Sequence, residues 1–286
     1  MISKKVYETS GKIFEQVSIK TQPAMYEQLK AIKPGEIVVV SGVHDHIEKL
    51  LPTIKAPFDL IEFGDIASHN GGRVMFVNCA TYSSAPKKSV ETFVNEGGRL
   101  VTTDWAWSFT SHIFPDKLKF AKKTIDDVVE IECNTDIARR LIGLNYSQCH
   151  PKWWLEGSSD IYDIGQGVIP LITSEEMKEK YGKPYVAVGF TSGKGEVIHF
   201  ISHLELQRTQ LRSKADVGDL DDFLAKMKAV KSEDMEEAKV AELEAAYSTL
   251  NTLAYLCIPM PLLNTSMKSI MVSGGKSAMK SKGLTV

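Results

Sequence analysis

Cysteine is scarce in this chain: four residues in 286, Cys79, Cys133, Cys149 and Cys257, with no CxxC pair among them. Thiols that scattered fit neither a disulfide framework nor a clustered zinc site, and they suit a reducing cytoplasm. Charge of one sign is missing too. Thirty-four Lys+Arg are set against 36 Asp+Glu, for a formal net charge of -2, so no global pull toward nucleic acid or anionic membranes is expected. No apolar run approaches the roughly 18 residues that a membrane helix needs. The opening "MISKKVYETSGKIFEQV" lacks the apolar core and small-residue cleavage site of a secretory leader. No internal repeat is found, and "SGKG" (192–195) precedes a strand without GxxxxGK[ST] spacing, which excludes a phosphate loop. A cytoplasmic protein without membrane or nucleic-acid partner is therefore expected, with no metal and no cofactor.

What is present is a succession of short apolar runs with clear punctuation. "EIVVVSG" (36–42), "FDLIEF" (58–63) and "RVMFVNCA" (73–80) read as buried strands of the parallel type. Val90, Phe93 and Val94 then form one helical face after Pro86, Gly97-Gly98 ends that helix, and "RLVTTDWAW" (99–107) follows as a further strand. Such a strand–helix–strand unit predicts a right-handed crossover in a parallel sheet. "DDVVEIE" (126–132), "GVIPLI" (167–172), "KPYVAVGF" (183–190) and "EVIHFIS" (196–202) continue the strands, and "TSGKG" between the last two predicts a hairpin. "DIARRLIGL" (136–144) reads as a short helix or strand, and "CHPKWWLEGSSDIYDI" (149–164) as a loop. The composition divides the chain into an N-terminal arm (1–35), an α/β domain (36–205), a helical extension packing on it (206–263) and a flexible basic tail (264–286) carrying Lys268, Lys276, Lys280 and Lys282.

Two motifs carry a resemblance. "SVETFVNEGGRLVTTDWA" (89–106) is similar to the helix–Gly-Gly–strand that leads into the nucleophile elbow of the class I glutamine amidotransferase-like superfamily. "PYVAVGFTSGKGEVIHFISHLE" (184–205) is similar to its terminal, histidine-bearing hairpin. The nearer likeness is to the trehalose-utilisation (ThuA-like) branches that are not amidotransferases. The resemblance covers about residues 36–205. It implies an α/β, flavodoxin-like three-layer sandwich with a mostly parallel sheet, a C-terminal antiparallel hairpin and an added helical segment, its cleft at the carboxyl ends of the strands.

Amidotransferases of that superfamily use an elbow cysteine, a histidine on a later strand and a glutamate two residues beyond it. His203 and Glu205 match the last two, although Leu204 replaces the usual proline; Asp104 stands where the cysteine is expected. A carboxylate is a far weaker nucleophile than a thiolate, and beside a histidine it favours an ion pair. The resemblance therefore implies a domain that binds a small polar ligand or a partner protein without glutaminase activity. The expected catalytic positions are His203, Glu205 and Asp104. The expected ligand wall is Asn78, Cys79, Tyr82, Ser83, Trp105, Trp107, Trp153 and Trp154. Blander roles compete with each. Asp104 can cap the following helix, Glu205 can sit in the first turn of a helix after it, Cys79 can be a small buried hydrophobe and the tryptophans can plug a core edge. His199 alternates with Val197 and Ile201 and reads as a core histidine, while "HDH" (44–46) reads as a solvated helix start. Two other functions stay open: a hydrolase or isomerase using His203, Glu205 and Asp104 as acid/base or metal-binding groups, and a scaffold assembling through its acidic helix and basic tail, with homo-oligomers allowed.

Overall fold

The computed structural model describes residues 1–69, 71–82, 86–145, 147–205 and 207–263, and side chains within these apart from 120–124 and 157–162. Ser83, the side chain of Tyr162 and the expected basic tail lie outside the described residues. Nine strands are described: β1 (Ile37–Val40), β2 (Asp59–Ile61), β3 (Val74–Val77), β4 (Arg99–Thr103), β5 (Leu118–Glu130), β6 (Lys152–Ile164), β7 (Ile169–Thr173), β8 (Tyr185–Ser192) and β9 (Gly195–Phe200). Seven of them form one sheet in the order β2-β1-β3-β4-β9-β8-β7. The pairs from β2 through to β9 are parallel, and β8 and β7 add the antiparallel edge. Together with its helices the sheet makes the expected α/β sandwich, its parallel half in the 2-1-3-4 order of flavodoxin-like folds.

Every residue of β1, β3 and β4 is buried. That is why β1 and β3 read as unbroken apolar runs and β4 shows no polar–apolar alternation: a parallel strand covered on both faces has no wet side. Parallel register aligns Val40 with Val77, Val77 with Thr102 and Thr103 with Phe200, so four neighbouring strands end at one level. Whatever follows each of them is delivered to the same place.

The helices are α1 (Lys4–Thr21), α2 (Pro23–Lys30), α3 (Lys87–Asn95), α4 (Trp107–Ile113), α5 (Asp136–Ile142), α6 (Glu175–Tyr181), α7 (Leu220–Met227) and α8 (Val240–Cys257). In α3 the predicted face holds: Val90 and Val94 are buried and Phe93 packs on the core. The chain leaves this helix through Gly97 at φ +120°, and the Phe93 ring lies so close to Gly98 that a Cβ there would sit 2.5 Å from it. The N-terminal stretch 1–35 folds as α1 and α2, which pack on the core. Tyr7, Phe14 and Val17 of α1 are buried, and the Phe14 and Phe223 rings meet Tyr247 of α8 edge-on at 6.2 and 6.1 Å. Each such buried ring contributes about 1.5–3 kcal/mol. In α8 every residue except Glu242 is buried, so the helix lies inside the molecule rather than on its surface.

The expected loop at 149–164 is largely strand β6, paired antiparallel with β5 in a two-stranded ribbon apart from the main sheet. Several register shifts interrupt that pairing. They break the two-residue alternation by which a strand is read, which is why the segment looked irregular. At the opposite end of the sheet from the strand exits, buried Arg99 pairs with Glu196 at 3.0 Å and donates to the carbonyls of Tyr255, Leu256, Ile258 and Met260. Glu196 also accepts from the Leu263 N–H, and the two side chains fasten the end of α8 to the base of β4 and β9. Among the described residues no helix is long and apolar enough to cross a membrane.

Candidate functional site

Four loops meet above the carboxyl ends of β1, β3, β4 and β9, and each brings one ionisable side chain. They are Asp45 after β1, Cys79 after β3, Asp104 after β4 and His203 after β9; all four are buried. The Cys79 thiol donates to Asp104 Oδ2 at 3.2 Å, and the same oxygen lies 2.8 Å from His203 Nε2. On the far side of the ring, His203 Nδ1 is 3.5 Å from Glu156 Oε2, a carboxylate of β6 whose side chain is 40% exposed. The carboxylate of Asp104 is thus the centre of the cluster, between sulfur and imidazole.

Asp104 does not cap a helix. The one-turn 3-10 helix Asp104–Ala106 and the following α4 both start without a side-chain cap bond. Asp104 itself has φ +43°, in the left-handed region that ordinary residues avoid and aspartate tolerates better than most. This sharp strand-to-helix turn is what aims the carboxylate into the cleft. The Trp105 N–H that follows points at the Cys79 sulfur. Strand, strained turn and helix are also the local form of a nucleophile elbow, here carrying an acid.

Electrostatics fixes where the protons sit. Burial, and then the adjacent Asp104 charge, push the Cys79 thiol far above its ordinary range, with the Trp105 N–H opposing them. For His203 burial disfavours the charged ring, but Asp104, Asp45 and Glu156 outweigh it and hold the imidazole above its ordinary value. These directions favour a protonated thiol and a charged imidazole, the reverse of a thiolate activated by a neutral base. His199, by contrast, bonds Thr102 Oγ1 through Nδ1 at 2.9 Å, and burial takes it down to about 3, as a neutral core histidine requires.

Glu205, expected to orient His203, is turned away from it. Its carboxylate faces Lys49 at 3.8 Å and lines a separate cavity of about 690 Å³ against α1; burial raises its pKa, with Lys49 opposing. The first-turn reading is replaced too, because the next helical turn begins only at Lys214. Asn78 braces the loop after β1, accepting from Ile47 N–H and donating to Glu48, while Tyr82 donates to the Asn78 carbonyl and stacks on Phe63 at 4.6 Å. Trp105 and Trp107 are half-buried, and the exposed His44 ring stands edge-on to Trp105 at 5.1 Å. Trp153 faces the core: it is fully buried and donates to Ser248 Oγ of α8 at 2.9 Å. Trp154 donates to Asp126 and lies under the Arg208 guanidinium, 4.0 Å from its ring.

Three functional residues were not foreseen. Asp45, in the middle of the "HDH" read as a solvated helix start, accepts from the N–H groups of His46, Leu204 and Glu205, at 3.0, 3.0 and 2.9 Å. Gln207 accepts from Trp154 N–H and donates to the His203 carbonyl, tying the ribbon to the histidine. Glu156 lay in the stretch read as loop. A lone acid between two histidines gives no pattern signal, and each of the three has a partner remote in sequence: Leu204 and Glu205 for Asp45, Trp154 for Gln207 and His203 for Glu156.

No known family profile matches the chain, and no curated protein matches it. Similar solved structures include a protein described as part of a GMP synthase, from Thermoplasma acidophilum, with 11% identity and a TM-score of 0.45 over 82% of this chain and 96% of that one. A ThuA-like protein from Bacteroides uniformis gives 11% identity and 0.40 over 58% and 80%. The β-galactosidase of Rahnella sp. R3 gives 14% identity and 0.39 over 60% of this chain; the match spans 29% of that enzyme.

Proposed function

We propose that the chain is a glutamine amidotransferase-like α/β domain that binds a small polar ligand or a partner protein at the carboxyl ends of β1, β3, β4 and β9, without hydrolysing glutamine. One observation carries this reading: Asp104 Oδ2 stands 2.8 Å from His203 Nε2 and 3.2 Å from Cys79 Sγ. The nitrogen that would take a proton from sulfur already faces a carboxylate. The sulfur, in turn, donates its proton to that carboxylate. Amide hydrolysis through a thioester needs a thiolate beside a neutral imidazole, and both protons here are held where they oppose it. The half-buried Trp105 and Trp107, with Glu156, form the accessible rim to which a polar ligand would bind.

Ammonia release from glutamine by the purified protein tests this directly. No turnover above buffer is expected from the wild type. Enzymatic turnover by the wild type would sink the reading. A second reading, a hydrolase or isomerase, draws support from the strained φ of Asp104 and the raised pKa of His203, which suit a general acid. On small amide, ester and sugar substrates it requires a rate that falls as pH rises and collapses in His203→Gln. A flat profile, indifferent to that substitution, removes it.

A further inference from the structure

We propose that Cys79, Asp104 and His203 together bind one divalent transition-metal ion of the zinc type. This deepens the reading of the same site and rests on it, because a sulfur used as a ligand is not a sulfur used as a nucleophile. Among the described residues this is where three metal-donor side chains converge: Cys79 Sγ, an Asp104 oxygen and a His203 nitrogen all lie within 4.8 Å of one another. They come from the ends of β3, β4 and β9, three adjacent strands of a buried sheet, so their spacing is set by the most rigid part of the fold. Zinc takes sulfur at about 2.3 Å, imidazole at about 2.0–2.1 Å and carboxylate at about 2.0–2.2 Å, which separates tetrahedral donors by about 3.3–3.6 Å. The observed 3.2 and 2.8 Å separations would open by about 0.4 and 0.6 Å, and the sulfur–imidazole separation, within 4.8 Å, would settle near about 3.6 Å, which takes side-chain adjustment at all three residues.

Three further observations point the same way. Asp104 Oδ1 is buried and has no hydrogen-bond partner among the described residues, so the acid retains an unused lone-pair site in the cluster. His203 presents Nε2 to the cluster, and the Glu156 carboxylate stands 3.5 Å from Nδ1 without a hydrogen bond, on the side from which a carboxylate would orient a ligating imidazole. Asp45 fixes the backbone of Leu204 and Glu205, and Gln207 holds the His203 carbonyl, so the histidine's position does not depend on the ion. The donor set also selects the ion. A thiolate and an imidazole favour zinc-like metals and disfavour magnesium and calcium, which take oxygen ligands. The ion would replace the thiol hydrogen and the hydrogen on Nε2, both released to solvent. Three protein ligands leave a fourth position, and the exposed side of Glu156 is where solvent or a ligand would reach it.

The test uses the full chain, stripped with a chelator and titrated with Zn²⁺ and Co²⁺ salts. One equivalent per chain is expected by atomic emission, and Co²⁺ should give a thiolate-to-metal charge-transfer band. Cys79→Ser should abolish that band, while Cys149→Ser should keep it. Asp104→Asn and His203→Gln should weaken Zn²⁺ binding at least as much as Glu156→Gln, for which a loss of about 10–100-fold is expected. Uptake well below one equivalent at micromolar free metal overturns the proposal, as does a charge-transfer band that persists in Cys79→Ser. Where a variant fails to fold, the wild-type stoichiometry and the band decide alone. Ammonia release from glutamine would remove the proposed function, whereas a metal-free site without glutaminase activity removes only the ion.

Discussion

Asp45→Ala should be among the most damaging single substitutions at the site, although it removes neither the thiol nor the imidazole. The carboxylate accepts three backbone N–H groups. One belongs to its neighbour His46, which is half-buried and can turn to water. The other two, from Leu204 and Glu205, lie 159 and 160 residues away and are sheltered with the turn they hold. A hydrogen bond to a charged acceptor is worth about 1.5–3 kcal/mol, so losing these two costs about 3–6 kcal/mol. That is a large share of the roughly 5–15 kcal/mol that separates folded from unfolded domains. Urea denaturation followed in parallel by tryptophan fluorescence and far-ultraviolet circular dichroism would read the loss and show whether the transition is two-state. Asp45→Asn keeps one acceptor oxygen and should fall between wild type and Ala. Because Asp45 is also one of the charges raising His203, imidazole NMR should find that ring titrating at lower pH in Asp45→Asn than in wild type. A loss below about 1 kcal/mol in Asp45→Ala with unchanged denaturant slope would mean that the carboxylate does not hold the turn.

Three other outcomes follow from the buried charges. Arg99→Met should cost about 3–5 kcal/mol, and adding Glu196→Leu should not restore it, because four carbonyls have also lost their donor; recovery in the double variant's melting curve would contradict this. His203 has a raised folded pKa, so its contribution to stability is complete below the unfolded value near 6.5 and is lost as pH rises through the folded one; Asp104→Asn should diminish that alkaline loss in denaturation curves measured across pH. For Asp216, burial alone would raise the pKa, but Lys152 at 2.6 Å and the Arg212 and Ser213 N–H groups take it to about 2. Its contribution is therefore present above the ordinary 3.8 and disappears as pH falls toward about 2, and Lys152→Met should lose about 3–5 kcal/mol at neutral pH and shrink that acid limb.

The parallel half of the sheet was legible because burial on both faces leaves an unmistakable mark: "IVVV", "VMFV" and "RLVTT" can be little else. The hairpin and the helix stopped at Gly97-Gly98 were legible through turn chemistry. Asp104 and His203 were singled out through the resemblance, and the structure places both just beyond strand ends. Roles that depend on direction were not legible. Glu205 has the right spacing but an irregular chain after His203 turns it toward Lys49, and Trp153 looks like a ligand platform until α8 covers it. The depth of α8 was equally hidden. A helix with "EAAYSTLNTLAYL" bears enough Ser, Thr and Asn to look half-wet, yet Thr249, Asn251 and Thr252 each donate to a backbone carbonyl.

The central position of α8 bears on synthesis. The nine described strands all precede α8 in the chain, and Phe14, Trp153 and Phe223 gain their partners Tyr247 and Ser248 only when this later helix arrives. Until then the nascent chain carries uncovered apolar surface, the condition in which partly folded polypeptides associate wrongly. Final consolidation therefore waits for α8, and it couples α1 to a helix far along the chain.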